Sequence, residues 1–236
     1  MREARARRRL TVFVAVLAAG LLLSGCGQRT GYAEQAAVPE RLERDGTTIT
    51  VGNPDAEVTV HLYEDLRCPV CEEFEERGAG PALDEMVLGG DVRVQYTLAS
   101  FLDDRLGGAG SEKAANALRA ALEAQRFTEY HEVLYANQPE EAVDGYTDAY
   151  LLELASKVPG LRSPTFDSAV KNMKYRAFVT ASQTSFDSAA ESTPTAYIND
   201  RQIPETRSGL LYDDSIFVEL VREIQRDPVW WRSVKL

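Results

Sequence analysis

Arg67-Cys68-Pro69-Val70-Cys71 is the stretch on which the reading of this chain turns. The two cysteines follow Val58-Thr59-Val60-His61-Leu62-Tyr63, an alternating, β-rich run that reads as a strand. They open a helix-like run from Pro69 to about Glu76. Proline suits the first helical position, because the N–H it lacks has no partner inside a helix. Cys68 then falls at the N-cap, where unpaired N–H groups and the helix dipole favour a thiolate. Cys71 lies nearly one turn further on, so both sulfurs meet on one face. Cys68 is therefore expected to be the exposed attacking thiol and Cys71 the buried resolving thiol. Arg67 adds a neighbouring cation, whereas Val70 offers the sulfur no hydrogen bond. Glu72, Glu73, Glu75 and Glu76 read as a solvated helix face that weakly opposes the dipole.

Working outward, Val92 to Leu98 alternates again. Strand, helix and strand make a βαβ unit, with parallel strands and a right-handed crossover. Upstream, Thr48 to Val51 is a short β-branched run closed by the turn Gly52-Asn53-Pro54. Downstream, the pattern is helical from about Ser111 to Ala189, beginning with Ala114, Leu118, Ala121 and Leu122 at helical spacing. Thr147 caps a short helix through Leu154, and Ser163-Pro164 starts another that runs to about Phe186. So much helix exceeds a simple crossover and reads as an inserted subdomain. The β pattern returns at Thr195 to Ile198, turns at Asn199-Asp200 and resumes at Gln202-Ile203. Asp213 or Asp214 caps a last helix whose apolar face is Ile216, Phe217, Leu220, Val221 and Ile224, ended by Asp227-Pro228. Trp230 and Trp231 are expected to pack onto the domain.

The chain has 236 residues, 44% of them hydrophobic, which suits one domain with a sizeable core. Its formal charge of −11 argues against nucleic acid as a partner. Arg2, Arg5, Arg7, Arg8 and Arg9 precede an apolar stretch, Leu10 to Leu23, too short for a comfortable membrane span. It ends in Leu23-Ser24-Gly25-Cys26, which resembles the lipobox of bacterial lipoproteins, where the cysteine is lipidated after cleavage. An ordinary signal peptide with an incidental cysteine is the alternative. Cleavage before Cys26 removes five Arg and one Glu and leaves about −15. It also explains three cysteines in an exported chain: with Cys26 lipidated, one pair remains. A disulfide closing so short a loop is a poor structural staple, and export places it where disulfide chemistry occurs.

Ser192-Thr193-Pro194-Thr195 stands directly before the returning strand, where proline is compatible with a strand's beginning. With Cys68-Pro69-Val70-Cys71 and the strand order, it completes a resemblance. The chain resembles the DsbA-type thiol–disulfide oxidoreductases, over roughly residues 47–226. Glu129-Tyr130-His131-Glu132-Val133-Leu134-Tyr135-Ala136-Asn137-Gln138 is also similar to the start of that family's helical insertion. The resemblance implies an α/β thioredoxin fold: a central mixed sheet flanked by helices, with helices inserted between the third strand and the cis-proline strand. It implies a cis Pro194 beside the dithiol and a Thr193 backbone that binds an extended peptide. The expected organisation is a signal peptide at 1–25, a lipidated Cys26 and tether over 26–46, a domain over 47–228 with its insertion at 104–190, and a tail at 229–236.

The expected function is exchange of the Cys68–Cys71 disulfide with cysteines of exported proteins, as oxidant, outside a membrane to which lipid on Cys26 anchors the chain. A quinone-linked membrane partner and no cofactor besides the dithiol are implied. A reductase or isomerase of the same fold and a non-catalytic peptide-binding lipoprotein are the alternatives. Two departures from the family bear on direction. Its best-studied members carry His where Val70 stands, so a less acidic Cys68 and a less oxidising disulfide are expected here. Related folds often bury a carboxylate where Leu62 stands; Glu64 or Asp65 can substitute, although each also reads as a loop or surface acid. His61 and His131 could join the cysteines as zinc ligands in principle, but neither has finger-like spacing, and no metal is expected.

Overall fold

Alternating β-branched and aromatic residues build a six-stranded sheet in the computed structural model, which describes residues 31–235. The signal-like segment 1–25 and Cys26 lie outside the described residues. The strands are β1 (Glu40–Leu42), β2 (Ile49–Gly52), β3 (Val58–Asp65), β4 (Val92–Ala99), β5 (Thr195–Ile198) and β6 (Arg201–Gln202). Their order is β1-β2-β4-β3-β5-β6, with β3 and β4 parallel and every other pair antiparallel. β3 is therefore central, with Leu62 opposite Tyr96 on one side and Ala196 on the other. The mixed sheet and the insertion are as the sequence predicts.

The β3–β4 crossover contains two helices, α1 (Pro69–Arg77) and α2 (Gly80–Leu88), where the sequence suggested one. They pack too closely for a side chain at residue 80: a Cβ there would lie 2.7 Å from Glu75 Cα. The insertion holds α3 (Phe101–Leu106), α4 (Gly110–Glu123), α5 (Phe127–Tyr135), α6 (Asp148–Ala155), α7 (Pro164–Lys171) and α8 (Arg176–Ala189). Thr147 and Ser163 cap α6 and α7 as expected, accepting from Tyr150 N and Phe166 N. The predicted single helix from Pro164 is broken between α7 and α8, with Met173 at φ 47°. Asn116 on α4 explains the break: it accepts from Tyr175 N and donates to Ala169 O.

Two boundaries need correction. The expected tether over 26–46 contains β1, which pairs with β2, and Glu40 is buried, accepting from Phe127 N, Thr128 N and Thr128 Oγ1 at the start of α5. The expected tail 229–236 is mostly helical. After α9 (Asp214–Arg226), Asp227 caps α10 (Pro228–Ser233), and Trp231 is buried with its indole N–H on Ile198 O at 2.8 Å. No helix among the described residues is long and apolar enough to cross a membrane.

The sheet's two faces differ. Val58, Val60, Leu62 and Glu64 share one face, and Tyr96 of β4 and His131 of α5 pack there, their rings 4.8 Å apart. His61, Tyr63 and Asp65 belong to the opposite face. There His61 bonds Thr97, and Tyr63 packs with Ala99 and Phe186 of α8.

Candidate active site

Cys68 stands at the N-cap of α1 with Pro69 at the first helical position, and Cys71 is on the inner side of the first turn. Both are free thiols. Cys68, expected to be exposed, is in fact largely covered at 6% exposure, beside the segment before β5, and Cys71 is at 0%. The Thr193–Pro194 peptide bond is cis, and Cys68 Sγ lies 3.4 Å from Thr193 O. The segment preceding β5, far away in sequence, is thus the wall beside the dithiol. Val70 is 43% exposed at the rim.

The two sulfurs are in opposite electrostatic states. The Cys71 thiol, Thr193 and the N–H groups of Cys71 and Val70 hold negative charge on Cys68, and they outweigh burial to bring its pKa down to about 6. Burial pushes Cys71 well up, helped by its hydrogen bond to Cys68 and the charge of Cys68. A thiolate above a buried thiol is ready for exchange at one sulfur only.

Three expectations about the neighbours change. Arg67 is not a cation beside Cys68. Its side chain is buried within the insertion, paired with Asp103 at 2.7 Å and donating to Gly107 O and Glu141 O. The glutamates of α1 are not all solvated: Glu75 turns inward, with its carboxyl end enclosed near Glu64 and His131. Glu64 and Asp65 are both 0% exposed, not surface acids. Gln138, inside the stretch resembling the family's insertion, donates to Leu66 O and Cys68 O at 2.9 and 3.0 Å. Nothing in its sequence surroundings marks that role.

Asp65 and Glu64 are distinguishable by their partners. Asp65 accepts from Arg67 N, Leu102 N and Ser111 Oγ, so both its oxygens tie the cysteine turn to α3 and α4. Glu64 meets His131 Nε2 with Oε2 at 3.0 Å and interacts with the side chains of Glu75 and Tyr135. Burial raises Glu64 to about 8, the charge of Cys68 adding to the effect, and burial raises Asp65 to about 6.

A carboxyl raised on folding stabilises the fold fully below its unfolded pKa, and that contribution is lost as pH rises through the folded value. For Glu64 the loss runs from 4.5 to about 8. His61, lowered by burial from 6.5 to about 4, acts oppositely but only below its unfolded value. Glu75 and Asp84, also raised well above the ordinary carboxylate range by burial, add to the same limb, so in the oxidised chain, where neither cysteine carries charge, stability to urea should decline as pH rises above about 6.5. Glu64→Gln should make that limb shallower, leaving the part due to Glu75 and Asp84. An unchanged slope in the variant would remove Glu64 as its origin.

The arrangement defines a class: a thioredoxin-fold thiol–disulfide oxidoreductase of the DsbA-like kind. The family model described as Thioredoxin matches residues 44–211, and the chain belongs to that family. Disulfide bond formation protein D of Bacillus subtilis (strain 168) is 29% identical over 161 residues, 65% of this chain and 68% of that protein. The oxidised crystal structure of BdbD from Bacillus subtilis matches with a TM-score of 0.64 at 23% identity, covering 77% of this chain and 94% of the other. Reduced DsbA from Mycobacterium tuberculosis matches with a TM-score of 0.61 at 25% identity, covering 75% and 88%.

Proposed function

We propose that this chain oxidises cysteine pairs in exported proteins, from outside a membrane to which lipid on Cys26 anchors it. The observation that carries the direction is the inequality of the sulfurs: Cys68 at about 6, Cys71 well above an ordinary thiol. A stabilised thiolate stabilises the reduced enzyme and makes its disulfide the stronger oxidant. The similarity to a disulfide bond formation protein supports the same direction.

In this mechanism an extended substrate segment lies along the Thr193 backbone, with Val70 at the rim. Its thiolate attacks Cys68 Sγ of the disulfide, forming a substrate–Cys68 bond and expelling Cys71 as thiolate. Buried Cys71 then takes a proton. Glu64, protonated at neutral pH and close enough for its charge to act on Cys71, supplies it. A second substrate thiolate attacks the substrate sulfur and expels Cys68. The substrate is oxidised by two electrons and the enzyme dithiol reduced. A membrane partner reoxidises it.

Equilibration of the full chain with glutathione tests the direction. A midpoint less negative than about −200 mV is expected, and one near the thioredoxin value of about −270 mV would favour the reductase alternative. Val70→His should shift the midpoint further positive, since an imidazole above the helix N-terminus adds thiolate stabilisation that valine lacks. Metabolic labelling with radioactive palmitate tests the anchor: label should enter the wild-type chain and be absent from Cys26→Ala. Equal labelling of both would place the anchor elsewhere, and no labelling of either would dismiss it.

A further inference from the structure

Glu64, Glu75 and His131 come from three elements, the end of β3, the inner side of α1 and the middle of α5. They bring one potential ligand atom each within 4.8 Å of one another. This set shares no residue with the dithiol, and His61 is excluded from it by the sheet between them. A carboxyl pair sharing a proton beside an imidazole accounts for part of the arrangement. Glu64 interacts with both Glu75 and Tyr135, yet Glu64 Oε1, Glu75 Oε1 and the Tyr135 hydroxyl, all buried and turned toward one another, make no hydrogen bond of normal geometry. Tyr135 is 1% exposed and follows His131 by one turn of α5, its ring edge-on to the imidazole at 4.9 Å. Buried polar oxygens without partners are uncommon enough that each calls for an explanation.

We propose that Glu64, Glu75 and His131 form a binding site for one divalent cation of the Zn2+ type, with Tyr135 closing its fourth side. Binding would displace the protons that burial otherwise keeps on Glu64 and Glu75, and the two carboxylates so formed would balance the double charge. Imidazole with carboxylate is a donor set that suits zinc. Tetrahedral ligands with bonds of about 2.0–2.1 Å stand roughly 3.3 Å apart. The Glu64–His131 contact is 3.0 Å and the other separations are within 4.8 Å, so small side-chain shifts complete the geometry. Glu75 is partly exposed, and the acids Asp84 and Glu132 lie near enough for their charges to reach it, giving a cation an acidic approach. A cation in the site would sit close to Cys71, on which the charge of Glu64 already acts, and would favour negative charge on that sulfur.

The test uses the full chain with its disulfide closed, so that no thiolate can ligate, and Zn2+ as the probe. The chain has two histidines, and 15N-histidine spectra therefore report on the site in the wild-type protein. One equivalent of Zn2+ should bind by calorimetry, moving the His131 ring nitrogens and leaving those of His61 unchanged. Signals are assigned with His61→Gln. Glu75→Gln, isosteric with the native side chain, should weaken binding at least about tenfold. No binding at millimolar Zn2+, binding that leaves the His131 signals unmoved, or a folded Glu75→Gln of unchanged affinity would each overturn the proposal. If Glu75→Gln does not fold, the wild-type spectra decide alone.

Discussion

Replacing Cys71 with serine is expected to turn the enzyme into a trap, whereas replacing Cys68 with serine should leave it inert. Either variant loses the disulfide, so catalysed peptide oxidation falls to the background rate. The difference is in what remains. With its pKa at about 6, Cys68 is roughly nine-tenths thiolate at pH 7, against a few per cent for an ordinary thiol. In Cys71→Ser some of that acidity is lost with the Cys71 thiol, the largest contributor to it, but Thr193 and the helix N–H groups remain. Cys68 then has no internal sulfur to release a mixed disulfide. Incubation with glutathione disulfide should give a stable adduct at Cys68, visible as a mass increase and removed by dithiothreitol. Cys71 in Cys68→Ser, fully buried and held as a thiol, should give none. Rapid adduct formation at Cys71 would overturn the assignment of attacker and resolver.

Asp103→Ala should be the most destabilising of the single substitutions considered, at about 3–5 kcal/mol. Asp103 is where the insertion receives Arg67: Oδ1 accepts from the guanidinium at 2.7 Å and from Ser111 N, and Oδ2 accepts from Glu112 N. Alanine leaves a buried cation with only the Gly107 and Glu141 carbonyls, and two N–H groups in the first turn of α4 without acceptors. For a domain of this size the loss corresponds to a fall in Tm on the order of 10 °C. Thermal unfolding followed by circular dichroism measures it. The double variant Arg67→Met, Asp103→Leu should recover the part of the loss due to the unpaired cation, while the Ser111 and Glu112 N–H groups stay without their acceptor. A fall in Tm below about 2 °C in Asp103→Ala would show that the pair is not what holds the turn to the insertion.

The sequence displayed whatever depends on neighbours in the chain. Alternation marks β3 and β4, Pro69 after Cys68 marks the start of α1, and Thr147, Ser163 and Asp213 mark caps. These are local rules with periods of a few residues. What was missed depends on contacts across the fold. Glu40 lies in a stretch without alternation, and its three bonds are to residues some 87 positions later. Glu75 belongs to an acidic run that looks like any solvated face, and only the packing of α1 against β3 and α5 separates it from Glu72, Glu73 and Glu76. Arg67 sits next to Cys68 in sequence, but its guanidinium is drawn away by Asp103. The break between α7 and α8 is set by Asn116, a residue on another helix.

The turn from Leu66 to Cys68 is fastened to the insertion from both sides, by the Arg67 guanidinium on Asp103, Gly107 and Glu141 and by the Gln138 amide on Leu66 and Cys68. Such a turn and the helices that grip it are one rigid body. The insertion therefore cannot swing over Cys68 like a hinged cover, because any such swing would drag the sulfur along with it. The long helical excursion between β4 and β5 serves as the anvil against which the reactive turn is held.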